Sequence, residues 1–546
     1  MCHDYRNPSD LRIWDQTLSI HIRHRPHRKY ETSTSIDLGP LSQNPHSQEL
    51  CSALPCSNYR PGSDSHDRPS ALLSGAGYLH FTPERQNYAL YIHNPSVSIS
   101  CNDVEGRYFD SFLRILAIDF SGYFDTPFWT KLIPRECHNE PIVMHATIAL
   151  SALYKSSEAM FDPPNRELAN LQGEHLSNAL MQYNRAICLL RRGLSREDFS
   201  ISVRLALIAC VLFGCFESFY GNLEIAVQHI SSGLGILKDF QNNKTRMCRQ
   251  KGRNLGHVEP ELRQALERLK LQTSSIVAMK PTCYYPFDDQ DSRKVIDSIP
   301  SLFTTVDEAF PFGIDIATRC LLHLRRSAML QESQAFTNLL ASEQAALGTA
   351  LAQWHVAFRP IFLEANQNLT KRSQLGVLQL HTCITAFIVV VSMSTSREEV
   401  MFDKFTGRFQ EIVSLCGRIL EKEQELRVLS GLKMQFGLGL IMPLFYTSTR
   451  CRDRTVRQNA IALLNKWPCR NGLWDSWQAA RVAEWIARLE DEGRDANGLV
   501  SEEWRVRMHS LDISLQGHEI HVECVQGSGQ RPSRIRKAKF SRDSSC

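Results

Sequence analysis

The chain has 546 residues, is 43% hydrophobic and 22% charged, and carries a formal net charge of +4. This is the composition of an ordinary globular protein, and the charge is too small to argue for nucleic-acid binding by itself. By length there is room for about three to four domains. Many of the 17 cysteines sit inside apolar helical runs, such as Cys188, Cys210, Cys215, Cys320, Cys383 and Cys416. A thiol in that setting packs as a small hydrophobe and not as part of a disulfide framework. The N-terminus has no apolar signal core. No uninterrupted apolar run reaches the about 20 residues of a bilayer span. The expectation is a soluble, intracellular chain with no membrane partner.

Residues 1–77 are rich in Ser, Pro, His and Arg and show no sustained period, which predicts disorder. Within them His21, Arg23, His24, Arg25, His27, Arg28 and Lys29 form a basic knot. It reads as a solvated tail or as a nuclear-import or nucleic-acid arm. Tyr88–Ile92 and Val97–Cys101 read as short strands or extended chain. Helical spacing begins at Tyr108, Phe109, Phe112, Leu113 and Leu116 and breaks at Asp119–Tyr123. Glu140-Pro141 opens a helix through Tyr154, and His175–Leu190 is another.

The central stretch is apolar on every side from Leu205 to Phe216 except at Gly214, so it predicts a helix buried on every side. Gly221-Asn222 breaks the pattern. Leu223, Ala226, Val227, Ile230, Leu234 and Leu237 then mark one face of an amphipathic helix, and the two segments should fold back as an αα-hairpin. His145 and His229 invite assignment as ligands. Helical histidines beside apolar neighbours are more often satisfied core groups, and that is the reading adopted.

Beyond this, 242–257 is polar and basic and reads as a surface loop, and Glu259–Met279 as a helix. Residues 280–300, with Asp288, Asp289 and Asp291, read as a solvated loop. Helices are expected over Ile314–Gln331, Ser342–Ala365, Gln374–Met393, Asp403–Glu421 and Lys433–Thr449, with Pro360 kinking or ending the second. Asp453 is the expected N-cap of Arg454–Trp467, and a further helix follows over Gln478–Glu492. Leu511–Leu515 and His518–Cys524 alternate with period two about Gln516-Gly517, which predicts a small β-hairpin. The tail from Gly527 carries Arg531, Arg534, Arg536, Lys537, Lys539 and Arg542 and reads as a disordered terminus, an import signal or a phosphate-contacting tail.

Three groups of residues carry a resemblance. The first is Phe128-Trp129, Glu140-Pro141, His145-Ala146, Ala149-Leu150 and Ala152-Leu153-Tyr154. The second is Arg204-Leu205-Ala206-Leu207, Cys215-Phe216-Glu217, Gly221-Asn222, Ala226, His229, Gly233-Leu234 and Ile236-Leu237. The third is Cys451-Arg452-Asp453, Val456-Arg457, Ala460-Ile461, Leu463-Leu464, Gly472-Leu473-Trp474-Asp475, Ala479-Ala480 and Ala483-Glu484-Trp485-Ile486. In this order, over Gly106–Glu492, they resemble the regulatory (middle) domain of fungal transcription factors of the binuclear zinc-cluster class. The motif positions Arg204, Glu217, Gly221, Asn222, His229, Arg452, Asp453, Arg457, Trp474, Asp475 and Trp485 are assigned structural roles.

The zinc cluster of that family needs two Cys-x-x-Cys pairs, because thiolates must lie that close to hold tetrahedral zinc on one loop. No Cys-x-x-Cys occurs in these residues; Cys51 and Cys56 are five apart with no second pair. His518, His521 and Cys524 would alternate faces on a strand. No Gly-x-Ser-x-Gly, Gly-x-x-x-x-Gly-Lys, Gly-x-Gly-x-x-Gly after a strand or His-Glu-x-x-His pattern is found. No catalytic, metal or DNA-contacting residue is therefore assigned and no cofactor is expected.

The expectation is an all-α fold of roughly a dozen or more helices packed as αα-hairpins in a solenoid-like way. Its divisions would be a basic N-terminal region 1–77, a helical regulatory domain 78–500, a small extension 501–526 and a basic tail 527–546. The resemblance implies a nuclear transcription regulator without its own zinc cluster, acting through a DNA-binding co-regulator or another protein partner, or one whose DNA reader precedes these residues. It also leaves room for a small-molecule effector. The alternative is a cytosolic helical scaffold or small-molecule-binding module with no role in transcription.

Overall fold

The computed structural model of the chain describes residues 102–124, 127–159, 166–195, 203–247, 258–279, 298–330, 336–365, 370–426, 433–472, 474–514, 519–527 and 534–541. All belong to one packed unit. The basic knot, the segments 88–101, the aspartate loop and the 77/78 boundary lie outside the described residues.

The chain enters on α1 (Asp103–Ser111), closed by a capping box in which Asn102 and Glu105 each accept the other's backbone N–H. A π-turn at Phe112–Leu116 leads to α2 (Ala117–Ser121), which ends at Gly122. A second π-turn, Phe128–Leu132, opens α3 (Ile133–Asn139). Then follow α4 (Pro141–Ala159), α5 (Arg166–Ser195), α6 (Val203–Tyr220), α7 (Leu223–Met247), α8 (Pro260–Met279), α9 (Val306–Leu330), α10 (Thr337–Glu364) and α11 (Lys371–Met393). After a 3-10 turn at Glu399–Phe405 come α12 (Thr406–Leu426), β1 (Lys433–Gln435), α13 (Ile441–Arg450), α14 (Arg454–Lys466), β2 (Cys469–Asn471), β3 (Trp474–Asp475) and α15 (Ser476–Asp491). The chain closes with β4 (Val506–Ser514), β5 (Glu519–Gln526) and β6 (Arg534–Ser541).

Helices adjacent in sequence pack in pairs: α4 on α5, α6 on α7, α8 on α9, α11 on α12 and α13 on α14. The central hairpin is as expected. Every residue of α6 from Leu205 to Phe219 is buried. Gly221, at φ 101°, turns the chain between α6 and α7; its N–H and that of Asn222 both donate to Glu217 O, at 2.8 and 2.9 Å. A positive φ is cheap only for glycine, which is why the turn falls there. α6 and α11 are long and apolar enough to cross a membrane by length and composition, although no unbroken apolar run is. Both are core helices, with 83% and 89% of their most apolar windows inside the packed unit.

Among the described residues three large hydrophobic cores succeed one another along the chain, and a smaller cluster of Leu375, Leu378, Leu415 and Ile419 lies between α11 and α12. The first holds α1 to α8, the second α9 to α11, and the third α12 to α15 with the inner face of β5. The segment after β1 visits all three: Met434 and Phe436 enter the first, Leu438 the second, and Leu440 packs on the third. This corrects the helix expected from Lys433. The apolar residues there recur every second position, which is a strand period, and Gly437 at φ 119° cannot lie in a helix.

Other expectations are corrected too: the helices expected from His175, Ile314 and Ser342 start earlier, at Arg166, Val306 and Thr337. α7 runs to Met247, into the expected loop. Pro360 does not end α10, which continues to Glu364. Its missing N–H would have met the carbonyl of Val356, an exposed residue whose freed oxygen water can satisfy. Cys188 is exposed, while Cys210, Cys215, Cys320, Cys383 and Cys416 are buried as expected. Finally, the basic tail is not all unstructured: β6 pairs antiparallel with β5 along its whole length, so the expected hairpin β4–β5 becomes a three-stranded sheet. Lys537 meets Glu523 at 2.7 Å and Lys539 meets Glu519 at 2.8 Å on its outer face, and Phe540 packs on Trp485.

Candidate functional site

The surface where the three cores meet is polar, and one helix supplies most of it. On α8, Leu262, Ala265, Leu266 and Leu269 face the first core. Arg268, Gln272 and Ser275 recur at four and three residues on another face, and all are buried. This stripe lies against the Gly437 turn and the small sheet β1–β2–β3. Gln272 Nε2 donates to Gly437 O at 3.2 Å and lies against the Asn471 amide. Trp474 Nε1 donates to Ser275 Oγ at 2.9 Å. Arg470 Nη1, from β2, donates to Phe219 O at the end of α6 at 2.9 Å. A sheet of very short strands is thus fixed by side-chain bonds to α6 and α8.

Arg268 differs from its neighbours on this seam. Its side chain is 4% exposed. Nη1 reaches Ser121 O at a long 3.4 Å, and Nε has no partner among the described residues. The guanidinium sits over the Phe310 ring at 4.6 Å and near the Phe124 ring at 5.9 Å. No carboxylate of the described residues lies within ion-pair distance of it. Burial pulls its pKa down to about 9, opposed by the more distant charge of Asp307. The cation is thus held by ring faces and one weak hydrogen bond.

The other charged clusters pair each arginine with a carboxylate, although Arg204 Nη2, Glu259 Oε2 and Arg457 Nη1 have no hydrogen-bond partner among the described residues. Arg204, at the start of α6, donates to Glu136 of α3 at 2.7 Å and to Glu259 at 2.6 Å, and Glu136 is held below its usual pKa by that contact. Arg452 and Arg457 converge on Glu490 of α15, where both carboxylate oxygens are bonded and Val506 N adds a bond at 2.7 Å. Arg452 also reaches Glu399 at 3.1 Å, as does Arg450 at 2.6 Å. Together these lock α13, α14, α15 and the start of the C-terminal sheet.

Of the remaining motif positions, Gly221 and Asn222 form the hairpin turn, Asp453 and Asp475 cap helices, Glu217, His229 and Trp485 lie within helices and Trp474 on β3. Glu217 accepts from Asn222 Nδ2 at 2.5 Å. Asp453 and Asp475 cap α14 and α15 through Val456 N and Gln478 N. His229 meets the Phe213 ring edge-on, and His145 Nδ1 bonds Gln182 at 2.6 Å. The structure therefore brings Trp474 and Asp475 to the seam, Arg452 and Arg457 to one buried ion cluster, and Arg204 to a partly exposed one. Arg268, Gln272, Ser275, Glu490 and Glu399 are not singled out by sequence. Only the spacing 268–272–275 marks the first three, and α8 carries charge on other faces too.

One arrangement copies the order of a hydrolytic triad. His323 Nε2 meets Ser394 Oγ at 2.9 Å and His323 Nδ1 meets Glu343 at 3.1 Å. Ser394 Oγ is buried, however, and also bonds Val391 O at 2.8 Å, so the hydroxyl ties α9 and α10 to the end of α11. Among the described residues, no three His, Cys, Asp or Glu side chains converge in a way that would hold a metal ion. His521 points outward and Cys524 inward on β5, as the alternation requires; His518 lies outside the described residues.

No family model matches the chain, and no solved structure matches it. The chain is similar to the aspercryptin biosynthesis cluster-specific transcription regulator atnN of Emericella nidulans. The two are 24% identical over 405 residues, covering 58% of this chain and 64% of that protein.

Proposed function

We propose that this chain is a fungal transcription regulator that works through its helical module. The observation that carries the reading is the similarity, over 58% of the chain, to a cluster-specific transcription regulator. It is supported by the resemblance to the regulatory domain of zinc-cluster factors, several of whose motif residues occupy the hairpin turn, two helix caps and two ion clusters. In this reading the chain works in the nucleus. The 546 residues contain no Cys-x-x-Cys pair, so in this reading DNA contact comes from a partner or co-regulator, or from a zinc cluster that precedes these residues. The helices restrain or license that activity. Deletion of the gene followed by genome-wide transcript measurement tests it. A confined set of transcripts should change, and a fluorescent fusion should enter nuclei. Unchanged transcripts, with the fusion excluded from nuclei in every growth condition, would replace this reading with a cytosolic scaffold or binding module.

A further inference from the structure

The basic tail is folded as strand β6, and the sheet divides its charges. Four of the six residues Arg534–Lys539 are basic. Side chains alternate along a strand, so Lys537 and Lys539 stand on one face of the sheet and Arg534 and Arg536 on the other. Lys537 meets Glu523 at 2.7 Å and Lys539 meets Glu519 at 2.8 Å. On the opposite face Arg536 meets Glu492 at 3.1 Å, and Arg534 lies over the Trp504 ring at 5.7 Å. Three carboxylates of the same chain therefore hold three of the four cations. A run this basic is the kind of segment that an acidic groove or a phosphate backbone takes up. One groove can close round all four side chains only when β6 has left β5.

The hold on β6 is light for a strand of eight residues. Among the described residues it pairs with β5 and with no other strand. None of its residues is buried, and Ile535 is 60% exposed. Its ion pairs lie at the surface, where water and salt compete for both partners. Phe540, against Trp485 of α15 with ring centres 6.3 Å apart, ties it to the helices. An edge strand with little burial opens at a lower free energy than the core beneath it.

We infer that β6 is a displaceable strand whose partner is a protein with an acidic peptide-binding groove, of the kind that reads nuclear-import signals. The groove takes Arg534–Lys539 as extended chain once the strand lifts from β5. In the closed state Glu492, Glu519 and Glu523 occupy the cations, and in the open state the carboxylates of the groove replace them. Two observations favour a protein groove over a nucleic-acid backbone. Ile535, Ala538 and Phe540 are interleaved with the cations, and a groove buries such side chains where a phosphate backbone does not. Glu519 and Glu523 line the neighbouring strand, and their charge opposes phosphates brought up to the closed sheet. The partner meets only the fraction of chains in the open state, so the sheet lowers its apparent affinity by that fraction. Loosening β6 therefore strengthens binding. For its effect in the cell the inference rests on the nuclear reading above; for binding itself it does not.

The test uses the purified full chain and a purified import receptor that reads basic peptides, with binding measured by titration calorimetry at fixed ionic strength. Phe540→Ala removes the tie to Trp485 and should raise the affinity tenfold or more over wild type. Lys537→Gln with Lys539→Gln, added to that variant, should undo the gain. Should Phe540→Ala fail to fold, a second arm stands alone. Val525 and Ile535 are Cα partners across the β5–β6 ladder, so Val525→Cys with Ile535→Cys can lock the strand as a disulfide. Binding should vanish on oxidation and return with dithiothreitol. No binding by any of these chains, equal affinity in wild type and a folded Phe540→Ala, or equal binding by locked and reduced chains would each overturn the inference. So would capture of duplex DNA, and not of the receptor, through the same two lysines. A chain that binds the receptor but whose deletion leaves transcripts unchanged would keep the strand's partner and lose the regulator. A chain that controls transcripts yet never binds the receptor would do the reverse.

Discussion

Arg457 Nη2 donates to Glu490 Oε2 at 2.6 Å, with both side chains all but withdrawn from solvent. Glu490 also takes two bonds from Arg452 and one from Val506 N, so its carboxylate is fully occupied. Removing one member of such a set leaves charges buried without a partner, which costs about 3–5 kcal/mol. Glu490→Gln keeps the shape, takes from Arg457 the carboxylate it pairs with and leaves Arg452 with Glu399 alone, so urea unfolding should report a loss in that range. A loss below about 1 kcal/mol would mean the cluster contributes little beyond packing.

The same residue gives a pH dependence of defined sign. Arg452 and Arg457, with the bond from Val506 N, overcome burial and lower the Glu490 pKa from its ordinary 4.5 to about 2. Between these values the unfolded chain binds a proton that the native chain refuses. The contribution is therefore complete above pH 4.5 and fades as pH falls towards 2. Its full size is on the order of 3 kcal/mol. The stability gap between wild type and Glu490→Gln, measured by urea titration from pH 6 to pH 3, should narrow on acidification. A gap that stays constant would assign the effect to lost packing alone.

At the central turn, Gly221 holds φ 101° while its N–H bonds Glu217 O. A β-branched residue there is strained by about 1–3 kcal/mol. Gly221→Val should therefore lower the unfolding stability by that amount. Gly235, mid-way along α7, has no positive φ, and a Cβ added to it would meet nothing within 4 Å. Gly235→Ala should leave stability unchanged or raise it by up to about 1 kcal/mol. Equal effects at the two glycines would remove the turn assignment.

Phe213 is 1% exposed and meets Tyr183 and His229 edge-on, at 5.3 and 5.6 Å between ring centres. Phe213→Ala should cost about 3–5 kcal/mol by calorimetry. A cost under about 1 kcal/mol would place the ring on a surface and not in a core.

These residues differ in how well the chain announces them. α6 is legible because an unbroken apolar run between charged flanks has only the interior to go to, and Gly221-Asn222 marks its end. The cap at Asp453 and the hairpin β4–β5 are legible because each depends on residues near in sequence. Met434, Phe436, Leu438 and Leu440 escape a sequence reading because the glycines between them suit a loose helix as easily as a strand. Their period becomes decisive only when three separate cores claim them. β6 looks like a solvated tail, since Arg534, Arg536, Lys537 and Lys539 give it charge on both faces. Its partners, Glu519 and Glu523, lie a strand away. Arg268 is hidden for the same reason: on α8 it sits among Glu261, Arg263, Glu267 and Lys270, and only packing against the Gly437 turn separates it from a surface arginine.

The seam itself can be measured through Trp474 and Ser275, which are 199 residues apart and joined by a 2.9 Å bond. Trp474 belongs to the third core and Ser275 to α8, so their bond reports on whether α8 and the β1–β2–β3 sheet unfold together. Trp474→Phe leaves the hydroxyl without its donor, and Ser275→Ala leaves the indole N–H buried without an acceptor. Each should cost about 1–3 kcal/mol. Residues in direct contact couple, and a hydrogen-bonded neutral pair should show an interaction energy of about 1 kcal/mol in the double-mutant cycle. Urea unfolding of the four chains checks this. An interaction energy indistinguishable from zero would show that the sheet is held by Arg470 on Phe219, by Gln272 on Gly437 and Asn471, and by packing.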